Sequence, residues 1–110
     1  MERSSSDARR STRLSLEIPV VVTSLDPAHS FREECKTAIV NVHGCGVIVH
    51  ERLEGETPIM LELLSSGAKK KASVVATVPT VKGAAWLLGV AFDSPGNFWQ
   101  VEDPPADWAA

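Results

Sequence analysis

Along the chain, apolar positions gather into six short runs separated by polar stretches that carry glycine or proline. They are residues 18–25 (IPVVVTSL), 33–42 (EECKTAIVNV), 46–51 (GVIVHE), 59–64 (IMLELL), 71–82 (KASVVATVPTVK) and 85–93 (AWLLGVAFD). The runs are dense in β-branched residues and have strand-like lengths. The last is the clearest. Trp86, Leu88, Val90 and Phe92 recur with period two, and the small residues Ala85, Gly89 and Ala91 fall on the opposite face. That alternation predicts a strand whose large side chains enter one core. Gly89 suggests that another backbone approaches closely there. Pro19 sits near the start of its strand, and Pro79 marks an edge or a bulge. DPAHS, RLEGETP and SSGAKK read as loops and turns. A single turn of helix is expected at residues 98–101, stopped by Pro104 and Pro105. Strands with short connections and no long helix predict an all-β fold, a small antiparallel barrel or sandwich. The organisation expected is a flexible basic head at 1–13, a barrel at 14–93 and an acidic tail at 94–110.

A chain of 110 residues suffices for one small domain and its core. The net charge of −3 would not draw the whole molecule to DNA, RNA or an anionic membrane. The distribution is more telling. Arg3, Arg9, Arg10 and Arg13 face only Glu2 and Asp7 in the head, while Asp93, Glu102, Asp103 and Asp107 leave the end purely acidic. An anionic ligand is therefore expected at the head. No apolar run approaches membrane-spanning length, and the head lacks a signal-peptide core, so the chain reads as cytoplasmic.

The stretch His43-Gly44-Cys45-Gly46 carries the candidate chemistry. A structural zinc site needs four ligands, and His43 and Cys45 supply two, while Cys35, His29 and His50 follow no zinc spacing. A Cys–His catalytic pair lacks an evident third group to orient it. The alternative is a turn in which Gly44 and Gly46 provide backbone freedom. The turn is preferred, with free thiols, no bound metal and no catalytic residue. Lys69, Lys70 and Lys71 read as a solvated turn, and the three tryptophans as core or end-plugs. The arginines just before the first strand are more informative. A guanidinium forks onto phosphate oxygens and onto the O6/N7 edge of guanine.

Together these features resemble the PilZ domain, a six-stranded β-barrel that serves bacteria as a receptor for cyclic di-GMP. That family carries R-x-x-x-R ahead of the first strand and [D/N]-x-S-x-x-G after the second. Here Arg9 and Arg13, with Arg10 between them, match the strap, Asn41 and Gly46 match the second motif, and LLGVAFD resembles the last strand. The resemblance spans roughly residues 9–93. It implies that Arg9 and Arg13 hold guanine edges and phosphates, with Arg10 assisting. Asn41 would present its amide to the ligand, and Gly46 would let backbone come close. The protein would be a reader that passes a signal to an effector protein, not an enzyme. His43 stands where the motif has serine. Its imidazole either replaces the hydroxyl contact or fills the space the ligand needs. The alternative is a degenerate barrel that has lost the nucleotide and works through protein contacts.

Overall fold

The computed structural model describes residues 11–80 and 83–108. Six strands form in chain order: β1 (Pro19–Ser24), β2 (Arg32–Asn41), β3 (Gly44–Val49), β4 (Pro58–Leu63), β5 (Lys69–Pro79) and β6 (Trp86–Phe92). They close into one antiparallel barrel in the order β1-β2-β3-β6-β5-β4. The barrel is thus two three-stranded meanders, joined by the β3–β6 and β1–β4 seams. The second seam pairs Val20 with Leu63 and Val22 with Leu61.

Alternation sets the core. Val20 and Val22 of β1, Val47 and Val49 of β3, Ile59, Leu61 and Leu63 of β4, and Val74 of β5 are all buried. On β6, Leu88, Val90 and Phe92 turn inward as the period-two reading requires, and Trp86 is half-buried against the same core. One mouth is closed by an aromatic cluster. The ring centroid of Phe92 lies 5.6 Å from that of Phe98 and 5.7 Å from that of Trp99. Trp99 and Trp108 are both buried and belong to the core cluster, in line with the reading of the tryptophans as core or end-plugs.

Two bulges interrupt the ladders. One falls at Ala38 between Thr37 and Ile39, the other at Val75 between Val74 and Ala76. Each inserts an unpaired residue and bends its strand. The first bulge lets both Thr37 and Val40 face inward. Thr37 then donates its hydroxyl to the Leu16 carbonyl and accepts the Ile18 amide. Residues 14–18 are thereby laid along the second half of β2, ahead of β1 proper, and Leu14 bridges Val40.

Several expectations are corrected. The lysines 69–71 are not a turn: β5 begins two residues before the expected start at Lys71, with Lys71 opposite Met60 and Lys70 opposite Leu61. Pairing with β4 imposes strand on residues of low strand preference. Lys70 lays its ammonium 5.5 Å from the Phe92 ring centroid. Pro79 closes β5 opposite Trp86, and the bulge of that strand lies earlier, at Val75. The one helical turn among the described residues is a 3-10 turn at Ala106–Trp108, not at 98–101. At 98–101 the chain is bent otherwise: Gln100 has φ of 60°, and the Asn97 side chain bonds both the amide and the carbonyl of Val101.

Candidate functional site

The site begins at the β2–β3 turn. Asn41 pairs with Gly44, so the turn proper is Val42 and His43. Asn41 shapes it by accepting the His43 and Gly44 amides on Oδ1, at 2.8 and 3.0 Å. This is the local side-chain-to-backbone bonding that favours asparagine in turns. The Asn41 Nδ2 group makes no hydrogen bond among the described residues and remains available as a donor.

Gly44 and Gly46 lie in β3 and not in the turn, which corrects the expectation of backbone freedom. Neither has a left-handed φ, and what each supplies is space. A Cβ on Gly44 would stand 1.9 Å from the Val90 carbonyl oxygen. The close backbone approach expected at Gly89 is found here instead. At Gly89 the nearest neighbour of a Cβ would be the Ala76 side chain, at 3.3 Å. Gly46 pairs directly with Gly89 across the β3–β6 seam. Two facing glycines leave a bare strip of backbone on the outer wall of the barrel.

That strip is the floor of a groove of about 570 Å³. Ile39 and Leu87 flank it, and Val75 and Val78 of β5 form its far rim. Asn41, His43 and Gly46 line it, as does Arg13. Arg13 reaches it because the Leu14–Val40 bridge, closed by two backbone hydrogen bonds of 2.9 Å, sets residue 13 beside residue 41. Four of the six residues singled out from sequence therefore meet at one groove, whereas Arg9 and Arg10 lie outside the described residues. Arg13 is exposed, and Asp93 adds a carboxylate residue to the lining. Sequence reading missed the apolar walls. Their signal was present in the small-residue face of β6, which becomes a floor only once β3 and β5 are laid beside it.

Among the described residues, no group of three His, Cys, Asp or Glu side chains could hold a metal ion. His29 and His50 pair instead with the carboxylates of Glu51 and Glu33. Cys45 belongs to the buried core cluster, whereas His43 is half-buried in the turn. Both cysteines are free. Burial, with the Glu33 charge adding to it, pushes the Cys35 thiol up to about 12. Burial drives the Cys45 thiol upward as well, with Cys35 contributing. A thiol whose folded pKa is raised holds its proton longer in the folded state than in the unfolded one. Its contribution to stability is complete below the unfolded pKa of about 8.5 and is lost as pH rises toward the folded value. The melting temperature is accordingly expected to fall between pH 9 and 11, and less so in Cys35→Ser. Iodoacetamide at pH 8 should modify neither cysteine until the chain is denatured, because the thiolate is the nucleophile. Rapid native alkylation of Cys45 would contradict its place in the core.

Among the described residues, no helix is long and apolar enough to cross a membrane. No protein-family profile matches the chain, and no curated protein matches it. A solved structure does. The PilZ domain of CeSA from a cellulose-synthesizing bacterium aligns with a TM-score of 0.56 at 20% identity, covering 76% of this chain and 84% of that one. The six-stranded antiparallel barrel is therefore a PilZ-like fold.

Proposed function

We propose that the groove is a nucleotide site and that the protein is a cytoplasmic reader of cyclic di-GMP, a binding module and not an enzyme. The observation that carries this reading is the Leu14–Val40 bridge. It brings Arg13 to the same groove as Asn41, His43 and Gly46, residues distant in sequence. The groove has the volume of a small-ligand site. Its flat glycine floor between Ile39 and Leu87 suits the face of a planar base. Arg13 offers forked donors to a guanine edge or a phosphate, and the Asn41 Nδ2 group offers a further donor. Arg9 and Arg10, earlier in the same strap, would complete the cationic side. Occupancy would fix the strap against the barrel and alter the surface shown to an effector protein.

Isothermal titration with cyclic di-GMP tests the reading. If recognition is forked, Arg13→Lys should weaken binding by about 1–3 kcal/mol, roughly 5- to 150-fold. Lys69→Ala and Lys71→Ala, which remove exposed charges of the same sign, should have little effect. Equal binding by Arg13→Lys and the parent would reduce Arg13 to a point charge. His43→Ser relieves bulk and restores a compact hydroxyl. It should tighten binding about tenfold, the worth of one hydrogen bond to a charged group at roughly 1.5 kcal/mol. Weaker binding by His43→Ser would mean that the imidazole itself makes the contact.

A second reading has one observation in its favour. Val75 and Val78 on the groove rim are 62% and 50% exposed, and an apolar rim suits a protein surface. In that reading the strap and turn are vestiges and no nucleotide binds. An absence of heat on titration of the parent would favour it.

A further inference from the structure

Building on the nucleotide reading above, we propose that the C-terminal tail is a positioning element of the site, with Asp107 and Trp108 setting the strap at Thr12. Immediately after the strap, Leu14 makes an isolated bridge to Val40, the one such bridge outside the named strands among the described residues. The residue before Arg13 is held from elsewhere. The Thr12 amide and the Thr12 hydroxyl both donate to Asp107 Oδ2, each at 2.9 Å. The Thr12 carbonyl accepts the Trp108 indole Nε1–H at 2.8 Å. Every polar group of Thr12 is thus occupied by two consecutive tail residues.

The same tail also grips the other side of the groove. The Gly96 amide donates to the Val42 carbonyl at 2.9 Å, and the Trp99 indole donates to the Asn41 carbonyl at 2.9 Å. One segment therefore ties down both the strap and the β2–β3 turn, through backbone atoms at or beside the groove residues. None of these bonds uses the Arg13 side chain or the Asn41 Nδ2 group. Such anchoring reduces the ordering that binding would otherwise have to impose on the strap. Pro105 and the 3-10 turn it opens, in which Trp108 donates its amide to the Pro105 carbonyl at 2.9 Å, place Asp107 and Trp108 side by side for this task. Trp108 is buried, but Asp107 is exposed, so its role can be removed without opening the core.

The experiment compares the full chain with Asp107→Ala and Asp107→Asn. Three quantities are read: cyclic di-GMP affinity, melting temperature, and the rate of tryptic cleavage after Arg13. Asp107→Ala should bind about fivefold more weakly or worse, with the melting temperature nearly unchanged and cleavage accelerated. Asp107→Asn keeps an oxygen acceptor and should retain most of the affinity. If Asp107→Ala binds as tightly as the parent, the tail has no positioning role, and the nucleotide reading stands without it. If both variants lose affinity and melting temperature alike, the tail is a structural brace and the proposal fails. If the parent itself does not bind, the nucleotide reading fails and takes this role with it. The cleavage comparison then shows separately whether Asp107 restrains the strap.

Discussion

Phe92→Ala is expected to lower the stability of the barrel by about 3–5 kcal/mol, the range for removing a buried phenylalanine ring. The ring does three things at once. It is the inward residue at the end of β6, it packs against Phe98 and Trp99, and it carries the Lys70 ammonium on its face. Truncation leaves a void at a mouth that no neighbouring strand can collapse to fill, because the barrel is closed. Small domains have only about 5–15 kcal/mol in total, so the variant would lose a large share. At about 4–8 °C per kcal/mol the melting temperature should fall by at least ~12 °C. A thermal scan by circular dichroism measures it. A melting temperature close to that of the parent would mean that the aromatic cluster is not part of the core.

Gly44→Ala should be comparably severe for a different reason. The added methyl would stand 1.9 Å from the Val90 carbonyl oxygen, and the neighbouring contacts, at 2.9 and 3.1 Å, are backbone too. No side chain can rotate away. Relief requires β3 and β6 to part where Gly44 pairs with Ala91, next to the hydrogen bond from the Phe92 amide to the His43 carbonyl. A cost of about 3 kcal/mol, the upper end of ordinary overpacking, is the expected minimum. The site should suffer as well, since the turn carrying Asn41 and His43 hangs on that seam. Gly46→Ala is the contrast. Its methyl would meet only the Ile39 and Leu87 side chains, at 3.3 and 3.4 Å. It should fold nearly as the parent does while filling part of the groove floor. Equal stability of Gly44→Ala and Gly46→Ala would refute the distinction.

Much of this architecture was legible in the residues. The period-two pattern of β6 identified which face was core, because a strand has only two faces. The density of valine and isoleucine located β1, and the apolar run IMLELL located β4, each to within about a residue at either end. What failed were features that depend on a partner. Lys69 and Lys70 lie ahead of the fifth apolar run and carry no strand signal, yet opposite β4 they are strand. Gly44 looked like a turn glycine because the local context is rich in turn residues. Its purpose is visible only when the Val90 carbonyl is set against it. The strap and turn motifs could be spotted separately, but their meeting rests on the bulge at Ala38 and the Leu14–Val40 bridge. Neither leaves a mark in composition. The tail read as an acidic end with an expected helical turn, and nothing in its sequence says that Asp107 and Trp108 lie against Thr12.

The division of the barrel into two meanders bears on how the molecule comes into being. Hairpins within each meander join neighbours in the chain, but both seams join residues far apart, as Val20 to Leu63 and Gly44 to Ala91. Such distant pairings make closure the slow step, and folding in milliseconds to seconds is expected for all-β domains of this kind. The groove straddles one of the slow seams, with Asn41, His43 and Gly46 from the first meander and Gly89 and Val75 from the second. A nascent chain that has emerged only as far as Glu56 already contains the turn and Gly46, yet it lacks Gly89, Leu87, Val75 and Val78, which complete the groove. The groove is thereby reserved for finished molecules, because the pairing that closes the barrel is also the one that creates it.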